Sequence, residues 1–240
     1  MPKPFLSAEW RNLLMANYAI DPAILQPFVP AYTELDTFND THYVSLVGFL
    51  FTNTKVRGIG FPFHRTFEEV NLRFYVRYRE GNLWKRGVVF VKEIVPKHAI
   101  TFIANTLYGE KYATHPMRHR WKETDTELKV AYQWKAAGNW NYLKATAERE
   151  STIILPGSEE AFITEHYWGY TRINQSCTGT YEVVHPKWKV HKIKSFDRLC
   201  NVPVLYGSAF KGALQGAPTS VFLADGSAVE VMIGSKIYIR

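Results

Sequence analysis

The sequence predicts a mainly β protein, read as one mostly antiparallel domain over residues 1–240. Three observations carry that expectation. Segments that alternate apolar and polar residues recur along the chain, as in FEEVNLRFYVR (67–77) and LKVAYQWK (128–135). Aromatic residues reach 15 % and are spread throughout, which suits strands and broad contact surfaces. The βαβ alternation of a nucleotide-binding sheet is absent, as are the GxGxxG and P-loop patterns. About nine or ten strands with three or four short helices are expected, a count that favours a barrel or sandwich. No repeat, low-complexity run or linker divides the chain.

The elements follow in order. Residues 8–18 form a short helix or a first strand. In DPAILQPFVP (21–30), Asp21 is placed as N-cap and Pro22 at the first helical position, and Pro27 and Pro30 end the helix. THYVSLVGFLFTN (41–53) reads as a strand buried on both faces. FEEVNLRFYVR and LWKRGVVFVKEIV (83–95) flank a tight EGN turn and predict an antiparallel hairpin. Residues 96–111 fit a helix with an Ala99, Ile100, Phe102, Ile103 and Leu107 stripe and Gly109 at C′. LKVAYQWK and YLKATAERE (142–150) make a second hairpin. A helix capped by Ser158 spans 156–168. Residues 179–193 resume β-structure, with Pro186 at an edge or bend. Residues 220–234 predict a hairpin on Asp225-Gly226.

Composition limits the functional classes. With 46 % hydrophobic and 21 % charged residues the chain is globular. The net charge of +7 permits attraction to acidic surfaces or anionic small molecules. The basic residues are dispersed except in HPKWKVHKIK (185–194), read as a solvated strand face. No helix-turn-helix, zinc-finger or aromatic RNA-binding signature accompanies it, so no nucleic-acid partner is expected. The start lacks an apolar signal region, and no run approaches the roughly 18 apolar residues of a membrane span. Cys177 and Cys200 have no CxxC spacing. A cytoplasmic protein with reduced thiols and no membrane partner is the expectation.

The chemistry-bearing residues narrow quickly. His115 and His119 are four apart, but Pro116 intervenes and no HExxH or cysteine partner follows. His185 and His191 share a strand face about 20 Å apart in a straight strand. No metal site and no cofactor are expected. GxSxG is absent. Glu69, Asn71, Arg73 and Tyr75 project from one face of the 67–77 strand. A carboxylate, an amide and a guanidinium in that order can hold a carboxylate or carbonyl ligand. They can equally form a solvent face, and pattern alone leaves both open. Lys92 lies in an apolar strand, in phase with Val88, Phe90 and Ile94, while Glu93 points to the other face. A desolvated lysine can form a Schiff base, whereas a strand-end lysine snorkels to water. Lys111 is a second lysine, beyond the Gly109 cap.

Several segments together resemble the YqjF-like family of uncharacterised conserved proteins. They are residues 21–49, FEEVNLRFYVR, NTLYGEKYATHPM (105–117), ITEHYWGY (163–170) and VVHPKWKV (183–190). That family is related in fold to acetoacetate decarboxylase. The resemblance implies an antiparallel β-barrel with flanking short helices and an interior cavity that takes a small keto acid or carboxylate. It also implies a homo-oligomer and inward-facing Glu69, Asn71 and Arg73. The decarboxylase motif Gly-Phe-Pro-Lys-Lys is replaced here by Gly109-Glu110-Lys111-Tyr112, so Tyr112 stands at the reactive-lysine position. A one-residue shift turns Lys111 to the opposite face. The candidate catalytic residues are Glu69, Arg73, Lys111 and Tyr112. The candidate ligand-binding residues are Asn71, Tyr75, Lys92 and His115. The expected function is a decarboxylase-like enzyme without its Schiff-base lysine, or a non-catalytic binder on the same barrel.

Overall fold

A computed structural model of the chain describes residues 3–238. In order, the elements are β1 (Leu6–Ala19), α1 (Pro22–Leu25), β2 (Thr33–Leu35), β3 (Tyr43–Val56), β4 (Phe67–Glu80) and β5 (Leu83–Val95). Then come α2 (His98–Tyr108), β6 (Tyr112–Thr114), β7 (Met117–Glu123), β8 (Glu127–Ala136), β9 (Asn139–Ile153) and α3 (Glu159–Thr164). The rest are β10 (Trp168–Asn174), β11 (Cys177–Val184), β12 (Lys189–Leu199), α4 (Val202–Tyr206), α5 (Lys211–Gln215), β13 (Ser220–Val231) and β14 (Ser235–Ile237). The strands outnumber the sequence expectation, partly because β2, β6 and β14 are three-residue pieces.

Strand pairing closes on itself. The path β11–β10–β5–β4–β3–β1–β13 returns to β11 through a short β11–β13 pairing. Most joints are long antiparallel ladders, while β10 meets β5 in parallel over two residue pairs. From β13, strands β12, β9, β8 and β7 continue as an outer sheet. One core fills the space between that sheet and the ring, where Val70, Leu72 and Phe74 of β4 join the same cluster as Val130, Tyr132 and Trp134 of β8. A second apolar cluster lies inside the ring and includes Leu13, Met15, Phe49, Phe51 and Phe67. This two-sided packing is why residues 69–76 are all buried although their sequence alternates.

Local signals mostly hold. Residues 8–18 are strand. Asp21 accepts the Ala23 N–H at 2.9 Å, and Pro22 opens α1. Gly109 has φ of +68°, the left-handed conformation that a helix C′ glycine supplies. Ser158 caps α3 by accepting from Ala161 N. That helix stops at Thr164, short of Trp168, because the following chain enters β10. Pro186 falls in the gap between β11 and β12, so His185 and His191 do not share one straight strand.

Two expectations fail, and one apolar helix face stays open, each for an identifiable reason. Asp225-Gly226 is no hairpin turn: β13 runs through it, and its partner β1 pairs on both sides, from Leu6↔Val231 through Arg11↔Gly226 to Asn17↔Ser220. Gly226 keeps φ of +76° within this unbroken register, where a Cβ would strike the Trp10 carbonyl. The apolar stripe of α2 is not buried. Ala99, Ile100 and Ile103 line a cavity, while Phe102 and Leu107 are exposed, because the helix lies over open space rather than a filled core. Finally, the two-residue phase of β5 breaks. Arg73 pairs Phe90 but Leu72 pairs Lys92, so Val91 is an extra residue. The bulge brings Val88, Phe90 and Glu93 to the inner wall and leaves Lys92 opposite Leu72, a residue of the outer core.

Among the described residues, no helix is long and apolar enough to cross a membrane. Cys177 and Cys200 are both free thiols.

Candidate functional site

The ring encloses a cavity of about 410 Å³, within the range of small-molecule sites. β4 places Glu69, Asn71 and Arg73 on its wall at successive inward positions. Glu68, one residue away, points outward and meets His119 Nδ1 at 2.7 Å. The polar triplet of FEEVNLRFYVR thus faces the interior, and its apolar partners pack against the outer sheet.

Three carboxyls share the cavity: Glu69, Glu93 and Glu110, each almost wholly buried. Asn71 Nδ2 donates to Glu69 Oε1 at 2.8 Å, and the Tyr112 hydroxyl donates to Glu69 Oε2 at 3.0 Å. Glu110 Oε1 accepts from the Tyr181 hydroxyl at 2.9 Å and from Thr171 Oγ1 at 2.7 Å. Glu93 Oε2 has no hydrogen-bond partner among the described residues. Burial disfavours the charged form, and pushes Glu69 and Glu110 each up to about 7. Glu93 is raised well above the ordinary carboxylate range, first by burial and then by its two acidic neighbours. Tyr112 and Tyr181 are likewise raised by burial, so both remain hydrogen-bond donors. Near neutral pH the cluster holds both proton donors and proton acceptors.

Tyr112 is held firmly. Asn105 of α2 donates Nδ2 to its carbonyl at 3.1 Å and accepts its N–H at 2.8 Å. β6 adds a parallel pairing, Glu93↔Tyr112. Residues 110 and 112 therefore face the cavity and Lys111 faces away, over the Phe28 ring at 5.3 Å.

Arg73 is the one lysine or arginine on the described cavity wall. Its Nη2 donates to the Ile163 carbonyl at 3.3 Å, and its Nε has no hydrogen-bond partner among the described residues. No ion pair among the described residues includes it. The remaining wall is largely aromatic. Trp10, Phe49, Phe51 and Trp188 form edge and tilted contacts, and His185 stacks on Trp188 at 4.2 Å.

Of the eight candidate residues, the fold brings Glu69, Asn71, Arg73 and Tyr112 together on the wall. Tyr75 lies inside the ring but off the cavity, its hydroxyl 2.7 Å from Ser45 Oγ. Lys92 faces the outer core, Lys111 is turned outward, and His115 Nδ1 lies 2.9 Å from the Lys135 carbonyl, away from the cavity. Sequence reasoning missed Glu93, Glu110, Tyr181, His166 and His185. Glu93 and Glu110 left a trace, as an acid inside an apolar run and an acid directly after the helix cap. The other three come from segments separated in sequence, and only the ring closure unites them.

Solved structures share this fold. Acetoacetate decarboxylase from Legionella pneumophila aligns with a TM-score of 0.67 at 11 % identity, over 98 % of this chain and 88 % of that one. The enduracididine biosynthesis enzyme MppR, in its complex with pyruvate, aligns with a TM-score of 0.67 at 14 % identity, over 98 % and 91 %. At those identities the likeness establishes the fold alone. YqjF of Bacillus subtilis, an uncharacterized protein, is 39 % identical over 82 residues, which are 34 % of this chain. That match spans about a third of YqjF, 32 % of its length. Over residues 7–228 the chain belongs to the DUF2071 family of uncharacterized conserved proteins, on an acetoacetate decarboxylase-like fold.

Proposed function

We propose that the cavity takes a small oxo acid, holds its carboxylate on Arg73, and supports proton transfer on it with the Glu69–Tyr112 pair as proton donor and without a lysine imine. The observation that carries this reading is Arg73 itself. It is a buried guanidinium on the cavity wall with no carboxylate partner among the described residues, although three glutamates line the same space. A permanently charged group left without a counter-ion fits an anion supplied by a ligand. The pyruvate complex of MppR lends support, since an oxo acid is accommodated there on the same fold. The cavity volume and aromatic wall suit a compact, partly apolar compound. A second reading, a binder without turnover, draws on one observation: no lysine lines the described wall.

Calorimetric titration with pyruvate, 2-oxobutyrate and acetoacetate tests the proposal. Saturable binding is expected, with Arg73→Met weakening it about 10- to 100-fold, the worth of a charge-assisted hydrogen bond of roughly 1.5–3 kcal/mol. Equal binding by wild type and Arg73→Met would refute the anchor.

A further inference from the structure

His166 and Asp36 form a dyad to which none of the preceding chemistry assigns a role. His166 is on the cavity wall and buried, with its side chain 1 % exposed. Its Nε2 lies 3.3 Å from Asp36 Oδ2, and its Nδ1 is buried with no hydrogen-bond partner among the described residues. The ring is fixed between Tyr75, at 4.7 Å between centroids, and Phe162, at 5.0 Å. Asp36 is fixed in turn: Arg86 Nε donates to Oδ2 at 2.6 Å, and the Thr37 N–H donates to Oδ1 at 3.0 Å. Burial by itself would raise the Asp36 carboxyl, but the hydrogen bonds from His166 and Arg86 outweigh it and hold it at about 2.

A histidine whose one nitrogen is tied to an ionised carboxylate exposes the other as a base. Here the tie fixes the Nε2–H tautomer and leaves the Nδ1 lone pair free. Burial lowers the His166 pKa, and the charges of Arg86 on β5 and Arg73 on β4 add to that effect, while Asp36 opposes it. The ring is therefore neutral at pH 7. Arg73 bonds the Ile163 carbonyl, three residues before His166, and Tyr75, the next inward residue of β4 after Arg73, packs on the His166 ring. The dyad thus stands at the Arg73 end of the triplet on β4, where the proposed oxo acid has its carboxylate.

We propose that His166 is the general base of this cavity and Asp36 its positioning partner, acting on the carbon next to the carbonyl of an oxo acid anchored on Arg73. This inference rests on the oxo-acid reading above. Nδ1 takes a proton from carbon 3. The C–H electron pair becomes the C2–C3 double bond, and the carbonyl π pair moves to oxygen. The products are an enolate beside the Arg73 cation and an imidazolium balanced by Asp36. Return of a proton to carbon 3 restores both partners, and in heavy water that proton is a deuteron.

The test is exchange of the carbon-3 protons of 2-oxobutyrate in D2O, followed by proton NMR, with binding measured separately by calorimetry. Wild type is expected to exchange them, and His166→Gln to lose about 100-fold or more, in keeping with removal of a general base. Asp36→Asn is expected to bind 2-oxobutyrate normally and exchange it about 10-fold or more slowly, through the wrong tautomer. The wild-type pH profile needs no variant. Its rate should rise with half-maximum below 6.5, where His166 loses its proton. A half-maximum near 7 assigns the base to the carboxyl cluster and overturns the dyad. Normal binding with wild-type exchange by His166→Gln also overturns it and leaves the oxo-acid reading intact. Absence of wild-type binding removes that reading and the dyad with it.

Discussion

Replacing Glu69 by glutamine should flatten the pH dependence of stability. The Glu69 carboxyl moves from its ordinary 4.5 to about 7 in the folded protein, because burial disfavours its charge. Between those values the native state binds a proton that the unfolded state has released. Stability is therefore full below about pH 4.5 and falls as pH rises through about 7. At about 1.4 kcal/mol for each pH unit between the two values, the loss is ~3 kcal/mol. Asp36, held at about 2, contributes in the opposite sense but loses its contribution below about pH 4, outside this window. The glutamine side chain of the variant retains an oxygen for Asn71, can donate its amide N–H to the Tyr112 hydroxyl oxygen, and carries no charge at any pH. Urea unfolding followed by tryptophan fluorescence at pH 5 and pH 8 reads the difference. The wild type should lose several kcal/mol between the two, and Glu69→Gln should lose ~3 kcal/mol less. A variant that tracks the wild type at both pH values would refute the claim that Glu69 is buried neutral.

Other outcomes follow from the same geometry. Binding of pyruvate should weaken as pH rises through about 7, because ionised Glu69 and Glu110 repel a second anion; calorimetry at pH 6 and pH 8 checks it. Gly169→Ala should destabilise by roughly 1–3 kcal/mol, since its Cβ would overlap the Tyr181 ring that bonds Glu110; thermal melts report the loss. Trp134→Ala empties the outer core at a fully buried site and should cost about 3–5 kcal/mol in chemical denaturation. Ser158→Ala removes the α3 cap and should cost about 1 kcal/mol by the same assay.

The sequence made the strands legible where one face repeats every second residue, as in β8, where Leu128, Val130, Tyr132 and Trp134 are all buried. Caps were equally legible, because Asp21, Ser158 and Gly109 act on their own neighbours. The Asp225-Gly226 hairpin failed because the long pairing with β1 overrides a local turn signal. Lys92 was grouped with Val88 and Phe90, and Glu93 against them, because a single bulge at Val91 reverses the phase and nothing in VVFVKEIV marks it. The inward facing of Glu69, Asn71 and Arg73 was undecidable from alternation alone. It depends on ring closure through the β5–β10 and β11–β13 joints, which rest on two residue pairs each. His166 and Asp36 were invisible for the same reason, being 130 positions apart.

Borohydride reduction in the presence of pyruvate tests the imine-free reading most directly. Calorimetry under the same buffer conditions should show wild-type binding that Arg73→Met weakens about 10- to 100-fold. Peptide mass mapping after reduction should then show every lysine unmodified. A reduced pyruvate adduct on Lys111 or Lys92 would contradict the account, because neither side chain lines the cavity that the proposal makes the site of reaction.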